Sequence, residues 1–191
     1  MPKAETFDRT EVIQKATQLF WKKGYHATSM QDLVDTTGLN RSSIYNSFED
    51  KFNLFLECLK MYQGNERAKA LQVVFKETSP IKAIKVFFRN GAKQSFCEKN
   101  GCFIVNATTE LGKSDSLVVD FLEKNERSLK KMFKDLLDDA KAKDELDKSE
   151  DTEALASYLF SSFQGIRVTS ILAKDELELN KIADYTLSVL K

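Results

Sequence analysis

The sequence predicts an all-α fold. Proline is scarce, limited to Pro2 and Pro80, and glycine totals 7 in 191 residues. With 42% apolar and 30% charged residues, the apolar positions recur at helical rather than alternating spacing. The length fits one or two modest domains with a real core. No apolar run of about 18 residues occurs, so no membrane span is expected. The opening Met-Pro-Lys-Ala-Glu-Thr lacks an apolar signal core. Cys58, Cys97 and Cys102 are odd in number, which argues against a disulfide framework. A cytoplasmic protein is expected.

About nine helices follow from the pattern. The first is expected from Asp8 to Lys23, with Asp8 and Glu11 spaced as a capping box. Phe7 and Val12 form a hydrophobic staple, and Val12, Ala16, Leu19 and Phe20 its buried stripe. Gly24 follows two lysines, as at a helix stop. A second helix begins at a Thr28 or Ser29 cap and ends near Thr36, before a turn at Gly38. A third starts at Asn40, with Leu39 and Ile44 as its staple and Ile44 and Phe48 inward. A fourth, long helix spans about 50–76. Ser79 and Pro80 open a fifth, reaching Glu98. A short apolar segment runs from Cys102 to Gly112, and Asp115 or Ser116 opens a seventh helix to about Lys143. Its Val119, Leu122, Leu129, Phe133, Leu136 and Leu137 fall on one face. The last two helices are expected over Thr152–Ala173 and Leu179–Leu190.

Residues 28–51 carry the most information. Short helix, glycine turn, second capped helix and third helix start together form a helix-turn-helix, whose second helix is placed for the DNA major groove. The zero formal net charge runs the other way, because bulk positive charge drives non-specific binding to nucleic acid. Within the first 60 residues the lysines and arginines are also matched by acids. Affinity must then come from a few placed contacts, doubled in a dimer.

The first 55 or so residues resemble the TetR family of bacterial transcriptional regulators. The resemblance rests on Phe20-Trp21 through Gly24-Tyr25, then Thr28-Ser29-Met30, Gly38-Leu39-Asn40, Ile44 through Phe48, and Lys51 with Leu54-Phe55. The remainder is similar in helix number and length. Thr37, Ser42 or Ser43, and Ser47 depart from residues common in that family. The resemblance implies an N-terminal DNA-binding domain, residues 1–50, and a C-terminal ligand-binding and dimerisation domain, residues 51–191. It further implies a homodimer that binds a double-stranded, near-palindromic operator and is released by a small-molecule inducer, acting as a repressor.

Candidate DNA contacts follow. Arg41, Ser42, Ser43 and Asn46 are candidate base readers, since arginine pairs bidentately with guanine and asparagine with adenine. Tyr45 is a candidate phosphate contact, as the matching tyrosine is in that family. Lys51 in the first turn of a helix opposes its dipole, yet with the free N–H groups there it would make a phosphate site. Thr28 offers a hydroxyl for a phosphate or for a cap.

The C-terminal part is expected to hold an apolar cavity with a few polar anchors. Candidate ligand contacts are Phe88, Phe103, Asn106, Glu110, Phe163, Gln164 and Arg167; structural hydrogen bonds or an interdomain salt bridge are the competing role of the polar four. Two stripes suggest a four-helix interface between chains, with core packing inside one chain as the plainer role that explains part of them: Leu155, Leu159, Phe163 and Ile166 with small Ala156, Ser162 and Gly165, and then Leu179, Ile182, Ala183, Leu187 and Leu190. Cys102, after Gly101 at a helix start, is a possible redox or electrophile sensor, with a buried structural cysteine as the plainer role. Cys97 and Cys102 lack a nearby histidine, and His26 is the sole one, so no metal site is expected. No HExxH, phosphate loop or nucleophile–base pair is present, so neither catalysis nor a cofactor is expected. A helical small-molecule binder that does not read DNA is the competing class.

Overall fold

The computed structural model describes residues 7–98, 100–113 and 116–190. Among them are α1 (Arg9–Lys23), α2 (Met30–Thr37), α3 (Arg41–Phe48), α4 (Lys51–Val74), α5 (Pro80–Cys97), α6 (Phe103–Leu111), α7 (Ser116–Ala142), α8 (Thr152–Thr169) and α9 (Glu176–Thr186). A 3₁₀ turn, Leu187–Val189, follows α9. No described residue lies in a strand, and no helix is long and apolar enough to cross a membrane.

The caps set most boundaries. The Asp8 carboxylate accepts from the Thr10 and Glu11 N–H groups. Ser29, not Thr28, caps α2, in a reciprocal box with Asp32. Gly38 ends α2 in the left-handed region at φ 75°, which costs glycine nothing. Asn40 caps α3, Asp50 caps α4, and Ser79 precedes Pro80 at the start of α5. The ends differ more from the expectation. Asp175 accepts from the Glu178 N–H and starts α9 three residues early. The chain after α8 tightens into i to i+3 turns at Ile171 and Leu172, so the helix stops at Thr169 rather than Ala173. The start of α7 rotates by one residue: Val118 is fully buried and Val119 is not. Asp115 lies outside the described residues.

Two apolar clusters organise the chain. The first joins α1, α2 and α3 to α4, α6 and the start of α7 through Phe20, Leu33, Ile44, Phe48, Phe55 and Phe103. The second joins α5, α7, α8 and α9 through Phe88, Phe133, Leu159, Phe163 and Leu179. The second corrects an expectation. Leu159, Phe163, Ile166, Leu179, Ala183, Leu187 and Leu190 are buried in the chain's own core. Periodicity identified the buried face but not what covers it. What α8, α9 and the turn between them leave outside is another set, including Tyr158, Val168, Leu172 and Tyr185.

One backbone feature stands between α3 and α4. Glu49 has φ 66° and ψ −54°, and the Asp50 N–H donates to the Phe48 carbonyl at 2.8 Å. This is a γ-turn of the strained hand. Glu49→Gly should therefore raise stability by about 1 kcal/mol in urea denaturation. An unchanged or lower midpoint would mean that the turn carries no strain.

Candidate functional site

The outer face of α3 comes from its cap and its two inward residues. With Ile44 and Phe48 buried, Arg41, Ser42, Tyr45 and Asn46 are exposed and Ser43 is half-buried. The Ser43 N–H is engaged by the Asn40 side chain at 2.8 Å. Five of the seven predicted DNA contacts thus lie together on one helix. Nearby charges are mostly paired. Arg9 donates to Glu57 at 2.6 Å and to the Ser47 carbonyl, and lies over the Phe48 ring. Lys15 pairs with Glu11, and Lys23 pairs with Asp32 at 2.8 Å. Lys23 and then the Ser29 donors hold the Asp32 carboxyl well below the usual carboxylate range. Arg41 makes no ion pair among the described residues. It is the charge on this face left for an external anion.

Thr28 and Lys51 are corrected. Thr28 is 0% exposed and its hydroxyl donates to the Gly24 carbonyl at 2.6 Å, so it has no phosphate to reach. The Lys51 Nζ turns inward and donates to the Tyr25 carbonyl at 2.8 Å and the Thr28 carbonyl at 2.6 Å. It also lies 4.3 Å from the centre of the Tyr25 ring. Burial lowers its pKa, and Glu110 partly offsets that. At the start of α4 the Lys51 charge is engaged by two carbonyls of the α1–α2 loop.

Glu110 grips the same loop. Its carboxylate, on α6, accepts from the Tyr25 N–H at 3.0 Å and the His26 N–H at 2.8 Å. A Cβ on Gly24 would sit 2.9 Å from Glu110 Oε2, so a side chain there would force the two apart. The loop between α1 and α2 is therefore held from α4 and α6 at once. The sequence placed Glu110 in a cavity; nothing in helical periodicity pairs it with a loop 84 residues away.

A cavity of about 500 Å³ opens between α4, α5, α7 and α8. Of the seven predicted ligand contacts, Phe163 and Arg167 line it. Gln164 faces a smaller recess between α6, α7 and α8, and its buried Oε1 has no hydrogen-bond partner. Phe88 and Phe103 are core residues, Asn106 donates to the Asn100 carbonyl, and Glu110 is on the loop. Those four do not line the cavity. The sequence did not single out Gln63, Glu66, Asn90, Gln94 and Asn125, its polar wall. Gly91 lines the same cavity. A Cβ there would meet Phe163 Cε2 at 2.3 Å, so the ring lies against bare backbone.

Cys102 is buried at the cap position of α6. Arg167 Nη1 donates to its Sγ at 3.0 Å, and the Tyr62 hydroxyl lies at 3.7 Å. Burial and then Cys102 push the Tyr62 pKa up. Burial works against the Arg167 charge, but Cys102, Tyr62, Glu66 and Glu98 outweigh it and hold the guanidinium firmly protonated. Cys58 is an inert contrast, its thiol pushed up to about 12 by burial. All three cysteines are free, and Cys97 is exposed.

The inward Lys51 has a measurable consequence. Lys51→Ala should cost about 1 kcal/mol of stability through the lost loop hydrogen bonds. It should leave the salt slope of any DNA binding unchanged; a slope shallower by about one would put Lys51 on a phosphate instead.

Comparison with known proteins gives the same picture. Residues 12–58 match the description "Bacterial regulatory proteins, tetR family". Residues 81–185 match "Tetracyclin repressor-like, C-terminal domain". The chain is 30% identical over 194 residues to the HTH-type transcriptional regulator YezE of Bacillus subtilis strain 168, covering 100% of both. It is 28% identical to the HTH-type transcriptional repressor ComR of Escherichia coli strain K12, covering 96% of this chain and 89% of ComR. In fold it is similar to a cysteine mutant of the regulator CifR solved with 26-bp operator DNA, at TM-score 0.88 and 23% identity over 100% of both chains. With its helix-turn-helix, its long linking helix and its helical C-terminal half, the chain belongs to the TetR family of bacterial regulatory proteins.

Proposed function

We propose that the chain is a homodimeric, ligand-responsive repressor of a near-palindromic operator. Residues 1–50 act as the reading head and residues 51–191 as the sensing and dimerising part. The observation that carries this reading is the exposed α3 face, with Arg41, which makes no ion pair among the described residues, beside Tyr45 and Asn46. The description of ComR as a repressor and the capture of CifR on operator DNA support it.

The head is tied to the cavity by one short helix. Ile104, in the first turn of α6, lines the cavity, and Glu110, in its last turn, holds the α1–α2 loop. A ligand that shifts α6 therefore shifts the head, and differential affinity for the two positions is the switch. The dimer face is the outer side of α8 and α9, where Tyr158, Val168, Leu172 and Tyr185 are exposed and Gly165 leaves open space for a neighbouring helix. C2 pairing there would set two α3 helices about one DNA turn apart.

A gel shift with the DNA upstream of the protein's own gene, at two salt concentrations, tests this reading. A salt-sensitive shift at one near-palindromic site is expected. Arg41→Ala and Tyr45→Ala should each abolish it while circular dichroism and dimer size stay unchanged. Operator binding retained in both variants would contradict the assignment of the α3 face. Glu110→Gln should weaken operator affinity about tenfold, by loosening a charge-assisted grip on two N–H groups.

A second reading keeps the regulator and makes Cys102 its sensor. The Arg167 and Tyr62 donors beside its Sγ are the observation that favours it. Modification there would disturb the first residue before α6. Hydrogen peroxide should then release the wild type and a Cys97→Ser variant from DNA but not Cys102→Ser. Equal release of all three would exclude this reading.

A further inference from the structure

Arg167 is short of acceptors. A guanidinium has five N–H donors. Here Nη1 meets a sulfur, a weak acceptor, and Nη2 lies 3.7 Å from Glu66 Oε2, beyond hydrogen-bond length. The side chain is only 15% exposed, and it lines the cavity with its guanidinium 4.5 Å from the centre of the Phe163 ring. A guanidinium held in place and facing a cavity, with no oxygen at hydrogen-bond length among the described residues, has donors to offer a ligand oxygen.

The charges around it are already balanced. Glu66 accepts from Lys69 and from Gln94, each at 2.8 Å. Gln94 also donates to Glu98 at 2.9 Å. Two cations, Lys69 and Arg167, thus stand against two carboxylates, Glu66 and Glu98, at this end, and one further charge of each sign, Arg67 and Asp139, lines the cavity. At the rim Lys131 pairs with Asp135 at 2.6 Å. Burial raises the Glu98 pKa, and repulsion from Glu66 adds to that, so a further anion would enter an already strained pair of acids. A cation would have to approach Arg167. The rest of the wall is mainly apolar, with Phe87, Ile104, Leu129, Met132 and Phe163, interrupted by the neutral Gln63, Asn90, Asn125 and Ser128.

Resting on the reading of this cavity as the inducer site, we propose that it takes a neutral, mostly apolar molecule presenting a carbonyl oxygen to Arg167. A neutral acceptor satisfies the guanidinium without adding a buried charge.

Calorimetric titration of the full chain with four two-ring probes of one shape tests this. They are benzophenone (neutral ketone), diphenylmethane (no acceptor), diphenylacetate (anion) and benzhydrylammonium (cation). Benzophenone should bind about tenfold more tightly than each of the others, the order expected for one added hydrogen bond to a charged donor. Arg167→Met should bring benzophenone down to the level of diphenylmethane and leave diphenylmethane unchanged. Gly91→Ala, which must displace Phe163, should weaken every probe and so place the binding in this cavity. Diphenylacetate or benzhydrylammonium binding as tightly as the ketone would overturn the ligand class while leaving the cavity reading in place. So would a ketone no better than the hydrocarbon. Binding unaffected by Gly91→Ala would put the probes elsewhere and overturn the proposal. No binding by any probe would remove the cavity reading, and the ligand class with it. Should Arg167→Met fail to fold, the ranking of the probes on the wild type still decides.

Discussion

The Glu110 carboxylate, accepting the Tyr25 and His26 N–H groups, is the interaction on which the geometry of the head depends. The α1–α2 loop has no helix or strand to satisfy its own backbone, so its polar groups need partners from elsewhere. Three sources supply them. Glu110 takes two N–H groups, Lys51 serves the Tyr25 and Thr28 carbonyls, and the Thr28 hydroxyl serves Gly24. Hydrogen bonds to charged groups are worth about 1.5–3 kcal/mol each, more than neutral ones. Gly24 completes the arrangement, since its φ of 81° and its missing Cβ are both required where Glu110 approaches. The α2–α3 pair thus rides on a loop clamped to α4 and α6, and any movement of α6 has a direct route to the exposed face of α3.

Charge economy follows the same logic. A chain with no net charge cannot rely on a broad positive field. Arg9, Lys15 and Lys23 are held in ion pairs and Lys51 in the loop, which leaves Arg41 on the face of α3. Affinity from so few contacts is modest for one head. Doubling the heads across a two-fold axis compensates, because the second contact is then made at high effective concentration.

Local features were legible in the sequence, and distant pairings were not. Asp8, Asn40, Ser79 and the staple residues act within a few positions of themselves, so their patterns fix helix starts. The exposed face of α3 follows from Ile44 and Phe48 by simple helical geometry. Lys51 and Thr28 failed because their partners lie across a tertiary contact; the same residue types at a helix start suit phosphate equally well. The stripes of α8 and α9 failed for a related reason. Leu159 and Leu179 announce a buried face, but only packing shows that α5 and α7 cover it rather than a second chain. Arg167 and Cys102 meet across 65 residues, and their suspected roles became one arrangement only in three dimensions.

Amide hydrogen exchange at Tyr25 and His26, compared between the wild type and Glu110→Gln, is the decisive test of the Glu110 grip. Both amides should be strongly protected in the wild type. Exchange should be at least about tenfold faster in the variant, with the amides inside α1 unchanged. Equal rates in the two proteins would contradict it, and α6 would then hold no grip on the head.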